Sequence, residues 1–165
     1  MMSTDTGSPR IVTTDQLFRF AGHALEQMID IVTGLGDELA NTRPDLPGAN
    51  SPYQILTHCL GVVSFWAGRG IAGRAVTRDR DAEFSAAGSP AALAVRAHTA
   101  VARLRSDLAA LLPGEPLRHP PRPDWRPQGR ETEFTQEEAL VHILEELYQH
   151  LGHLELTRDL LRHRP

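Results

Sequence analysis

The chain has 165 residues, of which 41% are hydrophobic, and its formal net charge is −4. This length and composition fit one folded domain over residues 1–165 and exclude a chain that is disordered by composition. All of the positive charge comes from scattered arginines, and the net charge has the wrong sign for non-specific phosphate binding, so no nucleic-acid partner is expected.

The first two predicted helices have recognisable end signals. The first runs from about Thr14 to Leu39, with apolar residues at spacings of three and four, as on the buried face of a bundle helix. The second begins with Ser51 as N-cap and Pro52 at the first helical position, and it is expected to fray in the glycine-rich segment 68–73. The apolar face of the first helix is Phe18, Ala21, Leu25, Met28, Val32, Leu35 and Leu39.

Two further helices are predicted in the second half of the chain. The third starts with Ser89 and Pro90 and continues to Leu112. The fourth opens with Thr135 and Glu138 in the spacing of a capping box and runs to about Arg162. Its expected core register is Leu140, Ile143, Leu147, His150, Leu154, Thr157 and Leu161.

The connections between the helices indicate how they are arranged. Residues 74–88 are polar and long enough to span a helix, which permits a crossover with the second and third helices parallel. Residues 113–134 hold six prolines and are expected to form an extended loop, and residues 1–12 are expected to be flexible. The sequence therefore predicts an all-α protein built as a four-helix bundle.

The sequence also gives an expected location. Cys59 is the one cysteine, which excludes an intramolecular disulfide and favours a reducing compartment. Residues 1–10 are polar and unlike a signal peptide, and no stretch approaches the roughly 20 apolar residues that span a membrane. We therefore expect a cytoplasmic protein without a membrane partner.

Three ionisable side chains fall where the bundle core should be apolar. Glu146 and His150 are four residues apart, so they share one face of the fourth helix, and His58 interrupts an apolar run of the second. Together they offer three nitrogen and oxygen ligands to a divalent ion and leave a coordination position free. Two alternatives stay open from spacing alone: a solvated ion pair of Glu146 with His150, and a buried structural network that binds no metal.

Neighbouring residues offer further ligands. His142 precedes Glu146 by four residues and His153 follows His150 by three, so either can serve as an alternative ligand or donate a hydrogen bond to one of the ligands. Cys59 points about 100° away from His58 on a helix and is interpreted as a small packed side chain. The remaining histidines lack partners at metal-binding spacing and are interpreted as surface or loop residues: His23, His98, His119 and His163.

Four segments together resemble the DinB-like superfamily, and within it the actinobacterial branch of mycothiol-dependent maleylpyruvate isomerases and mycothiol S-transferases. The resemblance covers nearly the whole chain. The segments are Asn50–Tyr53 leading into Leu56–Val63 and Trp66, then Arg78–Phe84, then His142 with Glu145–Leu147, and finally Gln149–Asp159.

The resemblance implies a four-helix bundle in up-down-down-up order, with a crossover between helices 2 and 3, and a metal triad of His58, Glu146 and His150. The metal is expected to be Zn²⁺, with Ni²⁺, Fe²⁺ and Co²⁺ as alternatives because imidazole and carboxylate suit all four. A homodimer is one option, since bundles of this kind often dimerise.

The expected function is that of a metal-dependent thiol S-transferase. Mycothiol, as co-substrate, would be added to a small electrophile or would assist an isomerisation, with a metal-bound thiolate or water as the reactive group. A pocket for the sugar-rich thiol is expected near Trp66, Arg78, Arg80 and Trp125. The alternative is a non-catalytic metal-binding or stress-response protein.

Overall fold

The computed structural model describes residues 12–121 and 134–163. Over these residues the chain is all-α, as predicted, and contains no strand beyond an isolated bridge between Pro116 and Thr135. Trp125, most of the proline-rich loop and nearly all of the N-terminal segment lie outside the described residues. The helices are α1 (Thr14–Asn41), α2 (Pro52–Val63) with a π-helical continuation (Ser64–Ile71), α3 (Arg80–Glu83), α4 (Pro90–Leu108) and α5 (Gln136–Arg162).

The predicted helix starts are confirmed by their caps. The side chain of Ser51 accepts from the backbone N–H of Gln54, and the Gln54 side chain accepts in return from the Ser51 backbone. Thr135 and Glu138 form the same reciprocal pair at the start of α5. Each box satisfies two amides that a helix N-terminus leaves without intrahelical partners, so these short sequence signals fix where α2 and α5 begin.

Two predicted helix ends differ from the structure. The second helix does not fray at its glycines but continues as the π-helical segment, whose close contacts require small residues; a Cβ on Gly68 would overlap the Arg74 guanidinium. The helix predicted to Leu112 ends instead at Leu108, and the backbone N–H of Leu112 donates to the side chain of Gln136 at 2.9 Å. Both differences arise from tertiary contacts that local pattern does not reveal.

The helix α2 lies at the centre of the fold. It packs against α1, α3, α4 and α5, and almost every side chain from Pro52 to Val63 is buried, which explains why its sequence is apolar on all faces. No helix of the described residues is both long and apolar enough to cross a membrane. The up-down-down-up order of the helices stays a prediction.

The segment 74–88, which the sequence predicts to be a crossover, contains the short helix α3 and is fixed at its C-terminal end. Asn41, the last residue of α1, donates to the carbonyl of Gly88 and accepts from its N–H, both at 2.9 Å. Arg43 donates to the carbonyl of Phe84 at 2.8 Å. These contacts hold the segment after α3 against the end of α1, and α3 itself packs against α2. Residues of the crossover thereby come within reach of His58.

Candidate metal centre

The packing of α2 against α5 brings the three predicted ligands together. Within the described residues, His58 on α2 and Glu146 and His150 on α5 form the group of His, Cys, Asp and Glu side chains whose donor atoms cluster as a metal site requires. The spacing of four residues puts Glu146 and His150 one turn apart on the side of α5 that meets α2. The three side chains are therefore a candidate metal centre between two long helices.

Their donor atoms lie slightly farther apart than metal ligands would. The Glu146 Oε2 atom is 3.6 Å from His58 Nε2 and also 3.6 Å from His150 Nε2. All three donor atoms fall within 4.8 Å of one another. Tetrahedral Zn²⁺ with bonds of about 2.0–2.1 Å would separate its ligand atoms by about 3.4 Å. The three donor atoms would therefore have to move closer together to bind one ion.

The centre lies at the border between core and solvent. The His58 side chain is 4% exposed, whereas those of Glu146 and His150 are 26% and 24% exposed. The core register predicted for the fourth helix was wrong at one position, because Leu151 and not His150 occupies the buried site. The physical reason is that Leu151 adds apolar burial to the core, while His150 one residue earlier keeps access to Glu146 and water.

A buried carboxylate that the sequence interpretation had not assigned holds the far side of His58. Glu83, the last residue of α3, lies 2.9 Å from His58 Nδ1 through its Oε2 atom. Arg78 donates to both oxygens of Glu83, at 2.6 and 2.9 Å, and the ring of Phe84 stacks on that of His58. Arg78–Phe84 is one of the segments that carry the family resemblance, but no local spacing links Glu83 to a histidine 25 residues away.

The carboxylates of the centre are held in the charged form. Hydrogen bonds to His150 and His58 outweigh burial and hold the pKa of Glu146 far below its ordinary value. Burial on its own would raise the pKa of Glu83, but its hydrogen bonds to His58 and Arg78 prevail and lower it. Both groups are therefore anionic at neutral pH, as a metal ligand and an acceptor of an imidazole N–H must be.

The chemistry of His58 reflects these two carboxylates. Burial on its own lowers the pKa of His58, yet the hydrogen bonds with Glu146 and Glu83 outweigh it, so the pKa of His58 is raised. Each carboxylate contacts a different nitrogen of the ring: Glu83 lies beside Nδ1 and Glu146 beside Nε2. A cation is thus electrostatically favoured at the Nε2 side, either as a proton on the ring or as a metal ion.

The alternative ligands lie beside the centre without joining it. His142 Nε2 is 3.7 Å from Glu146 Oε1, whereas the contacts of His58 and His150 are with Oε2. The ring of His153 is exposed and its centroid lies 6.0 Å from that of His150. Cys59 is fully buried, and burial raises the pKa of its thiol, so it packs in the core as predicted. His142 can help to hold the Glu146 carboxylate in place, and His153 can contact a ligand that binds beside His150.

Three of the four residues predicted to line a substrate pocket fall within the described part of the chain, and they have different surroundings. Trp66 is 2% exposed and packs edge-on against His142 and Phe134, so it is part of the core. Arg78 lines, together with Glu83, a cavity of about 510 Å³ between α2 and α4. The Arg80 guanidinium lies over the ring of Phe84, 5.9 Å from its centroid.

The donor set fits a divalent ion. Two imidazoles and a carboxylate suit Zn²⁺ and its neighbours in the first transition row. The Nε2 atoms of both histidines point toward Glu146, and among the described residues the buried His150 Nδ1 has no hydrogen-bond partner. An ion on Nε2 would leave Nδ1 to carry the proton of a neutral ring, and a buried N–H is less costly to leave unpaired than a buried imidazolium.

Comparison with known proteins agrees with the sequence resemblance. The model of the family described as mycothiol-S-transferase matches residues 16–163. A solved structure described as a conserved protein from Enterococcus faecalis superimposes with a TM-score of 0.70 and 14% identity, covering 94% of this chain and 100% of that one, and shows a shared fold. No curated protein matches the sequence significantly.

Proposed function

The chain belongs to the mycothiol-S-transferase family, and we propose that it is a metal-dependent thiol S-transferase whose ion is held by His58, Glu146 and His150. Its substrates would be a low-molecular-weight thiol of the mycothiol type and a small electrophile. Zn²⁺ is the preferred ion in this proposal. A cytoplasmic location, a homodimer and the lack of a nucleic-acid partner stay predictions from the sequence.

The observation that carries the proposal is the convergence of three donor atoms from two helices within 4.8 Å. Two histidines and a carboxylate at the edge of the core displace apolar packing. They therefore lower the stability of the fold unless a bound ion or hydrogen bonds compensate for the loss. Three protein ligands also leave a position for a substrate, as in catalytic and not structural zinc sites. The exposure of Glu146 and His150 gives that position access to solvent.

The chemistry follows from the ligand set. A bound divalent ion would stabilise the thiolate, the reactive form of the thiol, at neutral pH. The ion would be held by His58, Glu146 and His150, with one coordination position left for the thiol. The thiol would give up its proton to water, the thiolate sulfur would form a bond to an electrophilic carbon, and the leaving group would depart with its bonding electrons. His142 contacts the outer oxygen of Glu146 and steadies the carboxylate during this transfer.

Metal content is the first test. Protein purified without an affinity tag should contain about one equivalent of divalent metal by elemental analysis. His150→Ala should lose that metal, whereas His153→Ala, the same substitution three residues away outside the cluster, should keep it. Stoichiometric metal in His150→Ala would show that the ligands are wrong, and metal-free wild type that does not take up Zn²⁺ would favour a purely structural network.

Activity is the second test. Conjugation of a generic alkylating electrophile should proceed with mycothiol, stop when a chelator removes the ion, and return when Zn²⁺ is added back. Glutathione and cysteine at the same concentration serve as comparison thiols. Stoichiometric metal without conjugation by any of these thiols would favour the alternative, a non-catalytic metal-binding protein.

A further inference from the structure

We propose that Glu83 is a positioning residue of the metal centre, which fixes the His58 ring in the tautomer that presents Nε2 to the ion. Glu83 is neither one of the three ligands nor in contact with the open side of the site. The inference rests on the proposed metal centre for its consequence, a higher metal affinity. Its structural core, the proton on His58 Nδ1, can be tested without any metal.

The donor and acceptor roles follow from the contacts. Arg78 donates to both oxygens of Glu83, so the carboxylate is ionised and can only accept hydrogen bonds. Arg78 Nη2 also lies 3.3 Å from His58 Nδ1, but it donates at the shorter distance of 2.9 Å to Glu83 Oε2. The 2.9 Å contact between Glu83 Oε2 and His58 Nδ1 is likewise the shorter contact of that ring nitrogen, and since the carboxylate can only accept, the ring nitrogen donates. A neutral His58 then carries its single proton on Nδ1, and the lone pair on Nε2 faces Glu146 and His150.

The surroundings keep this arrangement fixed. The side chains of His58, Glu83 and Arg78 are 4%, 8% and 7% exposed, so water cannot readily replace their mutual contacts. Phe84 stacks on the imidazole at 4.8 Å between ring centroids, which limits its tilt. Gly61, one turn after His58, leaves the space that the Glu83 carboxylate occupies. Phe84 thus holds one face of the His58 ring, and Glu83 holds its Nδ1 nitrogen.

The two histidine ligands differ in this respect. His150 Nδ1 has no hydrogen-bond partner within the described part of the chain, and its side chain is six times as exposed as that of His58 (24% against 4%). Carboxylate partners of ligating histidines orient the ring and raise its basicity. His58 is therefore the preorganised ligand of the pair, while the ring orientation of His150 has no such hydrogen bond at Nδ1 to fix it.

The tautomer is measured directly on metal-free protein. Two-bond proton–nitrogen correlation spectra of the histidine rings, recorded at alkaline pH where His58 is neutral, distinguish a protonated Nδ1 from a protonated Nε2. The wild type should show His58 in the Nδ1–H form, with the His58→Gln variant identifying the signal. A His58 ring in the Nε2–H form overturns the proposal whether or not the protein binds metal.

The Zn²⁺ affinity of Glu83 variants tests the functional consequence of the proposal. In chelator competition with Zn²⁺, Glu83→Ala should bind about 10–100-fold more weakly than wild type, the usual effect of removing such a partner. Glu83→Gln keeps a carbonyl acceptor but turns its amide toward Arg78, so it should recover part of the loss. Wild-type affinity in both variants overturns the proposal, and if the alanine variant does not fold, the glutamine variant alone decides.

Glu26→Gln is the matched control for the change in charge. Glu26 also faces a histidine, His98, at 3.3 Å, but both side chains are about half exposed and lie outside the centre. Its metal affinity should equal that of wild type. If wild type itself takes up no Zn²⁺, the proposed function fails, and the ring spectra still decide the pairing of Glu83 with His58.

Discussion

Gly61 lies one turn after His58 on α2, and the Glu83 carboxylate occupies the space that a side chain at position 61 would fill. Gly61→Ala should therefore push Glu83 away from His58 and weaken Zn²⁺ binding, by up to about 10–100-fold. The protein should also lose stability, because the crowding cost of about 1–3 kcal/mol exceeds the gain in helix propensity of about 0.5–1 kcal/mol. Chelator competition and urea unfolding measure the two effects separately.

Gly22→Ala is the control for this substitution. Gly22 lies within α1, and no atom outside its own helix backbone and chain neighbours comes within 4 Å of a Cβ built there. The alanine should stabilise the protein by about 0.5–1 kcal/mol without changing its metal affinity. Equal metal affinities of the wild type and Gly61→Ala would show that the close approach of Glu83 has no role at the centre.

Cys59 should be dispensable for metal binding although it follows a predicted ligand. Its side chain is 0% exposed, and burial, together with the charges of Glu146 and Glu83, raises the pKa of the thiol and disfavours the thiolate that a metal would need. Cys59→Ala should keep its Zn²⁺ and lose on the order of 1 kcal/mol of stability. Mass spectrometry should also find native Cys59 unmodified by iodoacetamide until urea exposes it. Loss of the metal in Cys59→Ala would make it a ligand.

The local parts of the fold and of the site were predictable from sequence. Capping at Ser51 and Thr135 needs only residues three positions apart, and the pairing of Glu146 with His150 needs only one helical turn. His58 could be added because it alone interrupts an apolar run. Each of these features depends on residues of a single helix, where periodicity and caps determine the geometry.

The parts that were missed depend on packing between distant segments. Glu83 approaches His58 across 25 residues, in a connecting segment whose C-terminal end is held by contacts of Asn41 and Arg43. The register error at His150 has the same origin, since the choice between positions 150 and 151 depends on how α5 rotates against α2. Periodicity alone tolerates a shift of one residue at the edge of an apolar stripe.

Arg74 and Asp107 form an ion pair, and replacing Arg74 should destabilise the protein more than replacing Asp107. Arg74 donates to both carboxylate oxygens at 2.8 Å, and the Asp107 side chain is 6% exposed while that of Arg74 is 34% exposed. Arg74→Met would leave a buried carboxylate without its partner and should cost about 3–5 kcal/mol in urea unfolding. Asp107→Asn leaves a cation that water can reach and should cost less, about 1–3 kcal/mol.

The exposed pair of Arg158 and Asp159 provides the comparison for that prediction. These residues are neighbours on the surface of α5 and also meet at 2.8 Å. Because water solvates both charges, Arg158→Met should leave the unfolding midpoint unchanged. A loss from Arg74→Met no larger than that from Asp107→Asn would show that the buried carboxylate finds another partner or water.

The raised pKa of His58 predicts opposite pH trends for stability and for metal affinity. The pKa lies above the ordinary value of 6.5 because hydrogen bonds with Glu146 and Glu83 outweigh the effect of burial. A group whose pKa is raised on folding stabilises the protein fully below its unfolded pKa and loses that contribution as the pH rises through its folded pKa. Metal-free protein should therefore lose stability as the pH rises from 6.5 through the raised pKa of His58.

Metal affinity should rise over the same interval, because the ion needs the Nε2 lone pair that the proton occupies. The lowered pKa of Glu146 gives a contribution that is lost only at acidic pH, well below this interval, so it cannot produce either trend. Urea unfolding of chelator-treated protein and Zn²⁺ competition, each measured over a pH series, follow the two curves. His58→Gln should lack the decline in stability. A stability that rises through this interval in wild type, or a Zn²⁺ affinity independent of pH, would mean that His58 is not the group that exchanges a proton for the metal.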